Sequence, residues 1–181
     1  MRVPEEVLKI ADDIRSMKIR GASRIAQAAA RGLKLAAQLY SGGDREDYVR
    51  YLRGVKEVLR STRPTAVSLP NALSYVMSRV MRAYDSGADL RELIDVTVAS
   101  ADEFIEYSRT ATKRIGEIGA KRVVDGDVIL THCNSSAALS IIIRAHEEGK
   151  DIEVFATETR PRYQGYITVK TLRDRGVPVT L

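Results

Sequence analysis

The sequence predicts an α/β protein in two parts, an all-helical amino-terminal domain and a parallel sheet domain of which only the first half is present. Three observations carry this reading. Apolar residues recur at helical spacing through the first two thirds of the chain. At Gly126 the period changes to short apolar runs. From there strand and helix patterns alternate across short, glycine-marked connections. Alternation of that kind builds βαβ units with parallel strands and right-handed crossovers, here a Rossmann-like arrangement. The domains are expected over residues 1–124 and 125–181, with the boundary near Val124.

Pro4 opens the first helix, which stops near Ser16; Val7, Leu8, Ala11 and Ile14 share a face, and Glu5 and Glu6 suit its positive end. Met17 to Ala22 is a break. A second helix from Ser23 to Leu39 aligns Ile25, Ala28, Ala29, Leu33 and Ala36, and Gly42 and Gly43 end it. The third, Asp44 to Arg60, carries Tyr48, Leu52, Val55 and Leu59. Between Arg63 and Leu73, Pro64 and Pro70 interrupt the pattern and predict an extended or turned segment. Helix resumes over Asn71 to Tyr84, stops at Ser86 and Gly87, and runs in one long piece from Asp89 to Lys121, its last turns weakened by Gly116 and Gly119.

Beyond Gly126 the sequence predicts strands at 127–131, 151–156 and 177–181, with helices at 135–148 and 165–175. A doubly wound sheet has two halves and binds its ligand at the switch point between them. One half is encoded, so a fragment of a longer domain is expected. The last strand would leave an open edge and uncovered apolar faces, which predicts an oligomer.

Composition narrows the function classes. A chain of 181 residues with 44% hydrophobic content buries a real core. The net charge is +5, but 29 Lys and Arg are interleaved with 24 Asp and Glu, so no basic block points to direct nucleic-acid binding. A single cysteine excludes an internal disulfide framework and fits a reducing cytoplasm. No apolar run approaches the roughly 20 residues that span a membrane, and the amino terminus is amphipathic and acidic, unlike a signal peptide. One Cys with His132 and His146 makes no zinc pattern, so no metal is expected, and no cofactor either.

Four stretches carry candidate chemistry. The first is GDVILTHCNSSAALSIII, Gly126 to Ile143, a strand running straight into a helix with Thr131, His132, Cys133, Asn134, Ser135 and Ser136 at the junction. In an open parallel sheet that junction faces the ligand crevice. Asn134 or Ser135 caps the helix, and its first free N–H groups make a phosphate seat. A lone cysteine is as readily a small buried hydrophobe, but a helix amino terminus favours the thiolate, which makes Cys133 an acid or base candidate. His132 alternates to the other strand face and reads as a histidine of the core or behind the site. The second stretch is IRGAS, where Arg20 offers a planar donor fork and Gly21, Ala22 and Ser23 offer close backbone approach; an ordinary glycine turn beside a surface arginine reads equally well. The third, TRPTAVSL, sets Arg63 before Pro64, a common pairing. The fourth, TETRPRYQG, follows the second strand and brings Arg160 and Gln164 to the same sheet edge as Cys133.

In that order and spacing, RGA, TRPTAVSLPNAL, GDVILTHCNSSAAL and ETRPRYQGYITVKTL resemble the family that joins sugar-phosphate aldose–ketose isomerases to the regulatory subunits of translation initiation factor 2B. The resemblance covers essentially the whole chain, and within the family it is strongest to the ribose-1,5-bisphosphate isomerases. It implies conversion of ribose 1,5-bisphosphate to ribulose 1,5-bisphosphate in nucleotide salvage. It further implies that Arg20, Gly21, Ala22, Ser23 and Arg63 bind phosphate, that Cys133 is the catalytic thiol, and that Ser135, Ser136 and Ala137 bind substrate. Arg160 and Gln164 belong to the family's motif. The family's second catalytic group is an aspartate, usually in a Gly-Ala-Asp run later in the sheet domain; no such run follows Val124. The implied partners are a sugar bisphosphate, a nucleotide as candidate effector and further copies of the chain. The resemblance also admits a noncatalytic regulatory subunit and a methylthioribose-1-phosphate isomerase.

Overall fold

The computed structural model describes residues 2–181. Five helices come first: α1 Glu5–Arg15, α2 Ala22–Gln38, α3 Arg45–Arg60, α4 Ser68–Asp85 and α5 Leu90–Ala120. Then strands β1 Val128–His132, β2 Glu153–Thr157 and β3 Val179–Thr180 alternate with α6 Ser136–Glu147 and α7 Gln164–Arg173. No helix among the described residues is long and apolar enough to cross a membrane. Packing divides the chain into two compact units, one ending at Ser108 and the other running from Arg109 to Leu181.

In the first unit the apolar stripes of α1 to α4 and the start of α5 close on one another. Ile14, Leu33, Leu52, Leu59, Leu73 and Leu93 are completely buried there. Removing such side chains from water stabilises by about 1.5–3 kcal/mol each. One polar pair is accommodated inside. Thr97 donates its hydroxyl to the Leu93 carbonyl at 2.8 Å, and Tyr48 donates to Thr97 Oγ1 at 2.7 Å. Burial pushes the Tyr48 phenol well above its ordinary range and that of Tyr51 up to about 12.

The helix ends follow capping chemistry. Asp44 caps α3 by accepting from the Asp47 N–H at 2.9 Å. Asp89 and Glu92 form a reciprocal box at the start of α5: Asp89 Oδ1 accepts from the Glu92 N–H, and Glu92 Oε2 accepts from the Asp89 N–H, each at 2.8 Å. The expected start of the fourth helix is corrected. It begins at Ser68, with Pro70 inside its first turn, where the missing N–H has no intrahelical partner to lose.

In the second unit the strand order is β1-β2-β3, all parallel, with Leu130 opposite Phe155 and His132 opposite Thr157. Leu139 and Ile142 of α6, Leu172 of α7 and Val154 of β2 share one core, so both helices cover the same sheet face. The opposite face is bare. Val128 (65% exposed), Leu130 (73%) and Phe155 (40%) stand on it.

The sequence pattern changes near Val124, whereas packing divides the chain inside α5. The last turns of α5 lie directly on α6: a Cβ at Gly116 would sit 2.8 Å from the Ser140 carbonyl oxygen, and one at Gly119 would meet Ile141. Ser140 Oγ lies 3.0 Å from the Thr112 carbonyl, and Ala120 is part of the sheet unit's core. Lys150 closes the helix end by donating to the carbonyls of Ala120 and Val123 at 2.5 and 2.7 Å.

Candidate active site

β1 and β2 are neighbouring parallel strands, so the loops leading to α6 and α7 leave from one edge of the sheet. Cys133 is the first residue past β1. Its φ is 61°, a left-handed conformation that a non-glycine residue keeps only where its surroundings hold it. Two threonines of the neighbouring segment reach it. Thr168, buried on α7, donates its hydroxyl to the Cys133 carbonyl at 2.7 Å, and Thr159, in the loop after β2, places its hydroxyl 3.9 Å from Sγ. Cys133 itself is half-buried.

Ser135 caps α6 by accepting from the Ala138 N–H at 3.3 Å. Ser136 and Ala137 form the first turn, where a helix provides no carbonyl for its N–H groups, and these face the end at which its dipole favours an anion. A thiol and an anion seat therefore adjoin at the end of β1.

The loop between β2 and α7 is fastened at both ends. Glu158 Oε1 accepts from the N–H groups of Thr159 (2.5 Å) and Gly165 (2.9 Å), while Oε2 is buried with no hydrogen-bond partner among the described residues. Only glycine fits at 165, since a Cβ there would come within 2.7 Å of the Thr157 carbonyl oxygen. Tyr163, left-handed at φ 51°, closes the loop by donating its N–H to Thr159 O at 2.7 Å. The Arg160–Pro161 peptide is cis, and the exposed Arg160 guanidinium lies 5.8 Å from the centre of the Tyr163 ring. Gln164, half-buried, is the first residue of α7.

The candidate residues thus fall into two sets. Cys133, Ser135, Ser136, Ala137, Arg160 and Gln164 lie in the loops after β1 and β2 and the helix starts that follow them, whereas Arg20, Gly21, Ala22, Ser23 and Arg63 belong to the helical unit. Gly21 caps α2 at φ 88° with no side-chain bond, as a residue without a Cβ readily does. Arg20 before it is half-buried and Ala22 after it is exposed. The Ser23 hydroxyl is engaged within the fold, 2.9 Å from both Ser108 Oγ and Gln27 Nε2. Arg63, half-buried, precedes the turn closed by the Ala66 N–H on its carbonyl.

His132 is corrected. It is exposed on the bare sheet face, with Nδ1 2.6 Å from Thr157 Oγ1, because the strand extends one residue further than its apolar run. The Gly-Ala-Asp run at Gly87–Asp89 lies in the helical unit, where Asp89 serves as the cap of α5. Thr159, Thr168 and Glu158 escaped the sequence reading. The one available signal was Thr168, a polar residue in register with the apolar stripe Gly165, Val169 and Leu172.

The chain is similar along nearly its whole length to known proteins. The chain is 52% identical to the ribose 1,5-bisphosphate isomerase of Thermococcus kodakarensis and 51% identical to that of Pyrococcus furiosus. The alignments cover 99% and 98% of the chain. The chain spans about half the length of these curated relatives, 56% and 55% respectively. Among solved structures, the 5-methylthioribose 1-phosphate isomerase of Pyrococcus horikoshii superposes with a TM-score of 0.82 at 30% identity, covering 97% of this chain and 51% of that one. Residues 18–181 match the initiation factor 2 subunit family. The chain belongs to that family.

Proposed function

We propose that the protein carrying this chain is an aldose–ketose isomerase that converts ribose 1,5-bisphosphate to ribulose 1,5-bisphosphate in nucleotide salvage. The observation that carries the reading is Cys133, held in a left-handed turn at the carboxyl edge of the sheet beside the amino end of α6. The names of the relatives supply the substrate class.

The chemistry suits these residue types. The ring opens as the C1–O4 bond breaks and O4 takes a proton. One hydrogen leaves C2 and one arrives at C1, and the C2 hydroxyl gives up its proton as it becomes the ketone. Two groups of different proton affinity serve such a sequence. Cys133 is one of them. The other, an aspartate by family resemblance, is not supplied by a Gly-Ala-Asp run in residues 125–181.

The first turn of α6, with Ser135, Ser136 and Ala137, seats one phosphate, and Arg160 and Gln164 line the same edge. By family resemblance, Arg20, Gly21, Ala22, Ser23 and Arg63 bind a substrate phosphate. Further copies of the chain are the proposed protein partners, a reading supported by the apolar sheet face that α6 and α7 leave open.

A protein of the relatives' full length that contains this chain is expected to turn over ribose 1,5-bisphosphate and not methylthioribose 1-phosphate, with activity lost in Cys133→Ser. Preference for the methylthio sugar transfers the assignment to that isomerase. Binding of sugar phosphate without turnover identifies a regulatory subunit. Full activity in Cys133→Ser removes the thiol from the mechanism.

A further inference from the structure

Threonines inside helices ordinarily return the hydroxyl to their own backbone one turn back. Thr171 does this with the Ile167 carbonyl and Thr97 with that of Leu93. Thr168 does not. It is 1% exposed on the apolar face of α7, and it carries its hydroxyl proton out of its own helix to the carbonyl of Cys133 at 2.7 Å. A buried hydroxyl needs a partner, and Thr168 finds it outside its own helix. The carbonyl that Thr168 holds belongs to the residue at φ 61°, a conformation the cysteine keeps only under external restraint. Thr159, nine residues earlier in the same β2–α7 segment, reaches the sulfur of that residue.

We propose that Thr168 and Thr159 are positioning residues that latch Cys133 from two sides, one at its carbonyl and one at its sulfur. The aim of the thiol is then set by the β2–α7 segment rather than by the cysteine's own strand and helix. Thr168 keeps the residue turned so that Sγ lies against Thr159 and beside the amino end of α6. The Thr159 hydroxyl donates to the sulfur and holds it against the β2–α7 loop. The purpose assigned to the latch rests on the reading of Cys133 as the site's thiol.

Cys133 is the single cysteine of the chain, so alkylation by iodoacetamide, followed by mass, reports this sulfur alone and needs no substrate. The thiolate displaces iodide in that reaction, and its rate in the folded protein follows the availability of the anion. Thr168→Val is expected to slow alkylation at neutral pH about five-fold, while Thr168→Ser, which keeps the hydroxyl, stays within about two-fold of the native rate. Thr159→Val is expected to slow it about three-fold. Combining both valines is expected to slow it by less than the product of the single effects, because both act through one residue.

A Thr168→Val protein that melts earlier but is alkylated at the native rate overturns the latch and leaves Thr168 a purely structural residue. Equal slowing in Thr168→Ser and Thr168→Val overturns it as well. Should Thr168→Val fail to fold, Thr159→Val decides, since its side chain lies in the loop outside the core; a native rate there overturns the contact at sulfur. Absence of isomerase turnover in a protein with the expected alkylation pattern overturns the assigned reaction and leaves the latch standing.

Discussion

The two units solve burial differently. In the helical unit, stripes from several helices meet, and Ile14, Leu33, Tyr48, Leu52, Leu59, Leu69, Leu73 and Leu93 are all but sealed from water. In the sheet unit Leu172 is the one comparably large side chain so deeply buried, while Val128, Leu130 and Phe155 stand open on the uncovered face. The unit with the fuller interior holds the proposed phosphate-binding arginines Arg20 and Arg63. The thinner one holds Cys133. Parallel sheets are normally covered on both faces, and this one is covered on a single face. Its loops are tied by side chains, through Glu158 on the Gly165 N–H and Thr168 on the Cys133 carbonyl.

The contrast breaks most sharply in the helical core. Leu52→Ala, at a position with no exposure, is expected to cost about 2–5 kcal/mol by denaturant unfolding. A loss under about 1 kcal/mol would mean that the helices repack freely and that the two units are built alike.

Alkali probes the same core more gently. The ordinary tyrosine value is 10.0, and burial raises Tyr48 above it and takes Tyr51 to about 12. Both phenols are protonated below pH 10 in folded and unfolded chains, so their full contribution to stability is present there. As the pH rises past 10 the unfolded chain loses these protons first, and stability falls. Unfolding measured on either side of that point is expected to show the decline, with a shallower slope in Tyr48→Phe. An unchanged slope would place the drop elsewhere.

The smallest effect is expected on the bare sheet face. Leu130→Asp, at a position 73% exposed, is expected to move the stability of the isolated chain by no more than about 0.5 kcal/mol. A larger loss at a concentration where the chain is monomeric would show that the chain itself covers this face and erase the contrast between the units.

Much of this architecture was legible in the residues, because helices and strands declare themselves by period. The break at Met17 to Ala22, the long α5 and the alternation beyond Gly126 all follow from apolar spacing. The strand-to-helix junction at Cys133 and the cap at Ser135 were equally readable, being local. Pro70 misled because a proline in a first turn looks in sequence like one that forbids a helix. The packing division between Ser108 and Arg109 left no mark, since the helical period runs through it unbroken and only the glycines facing α6 betray the change of neighbour. The left-handed turn of Cys133 was hidden for another reason. Its carbonyl is bonded by Thr168, which lies 35 residues away in sequence, and no local pattern encodes such a contact.

The helical unit's self-sufficient interior has a consequence for biosynthesis. A ribosome delivers these helices first, and their core draws on nothing that emerges after Ser108. The nascent chain can settle that part while the strands are still in the exit tunnel. The danger of aggregation then begins only when Val128, Leu130 and Phe155 have appeared, by which time the helical core has formed.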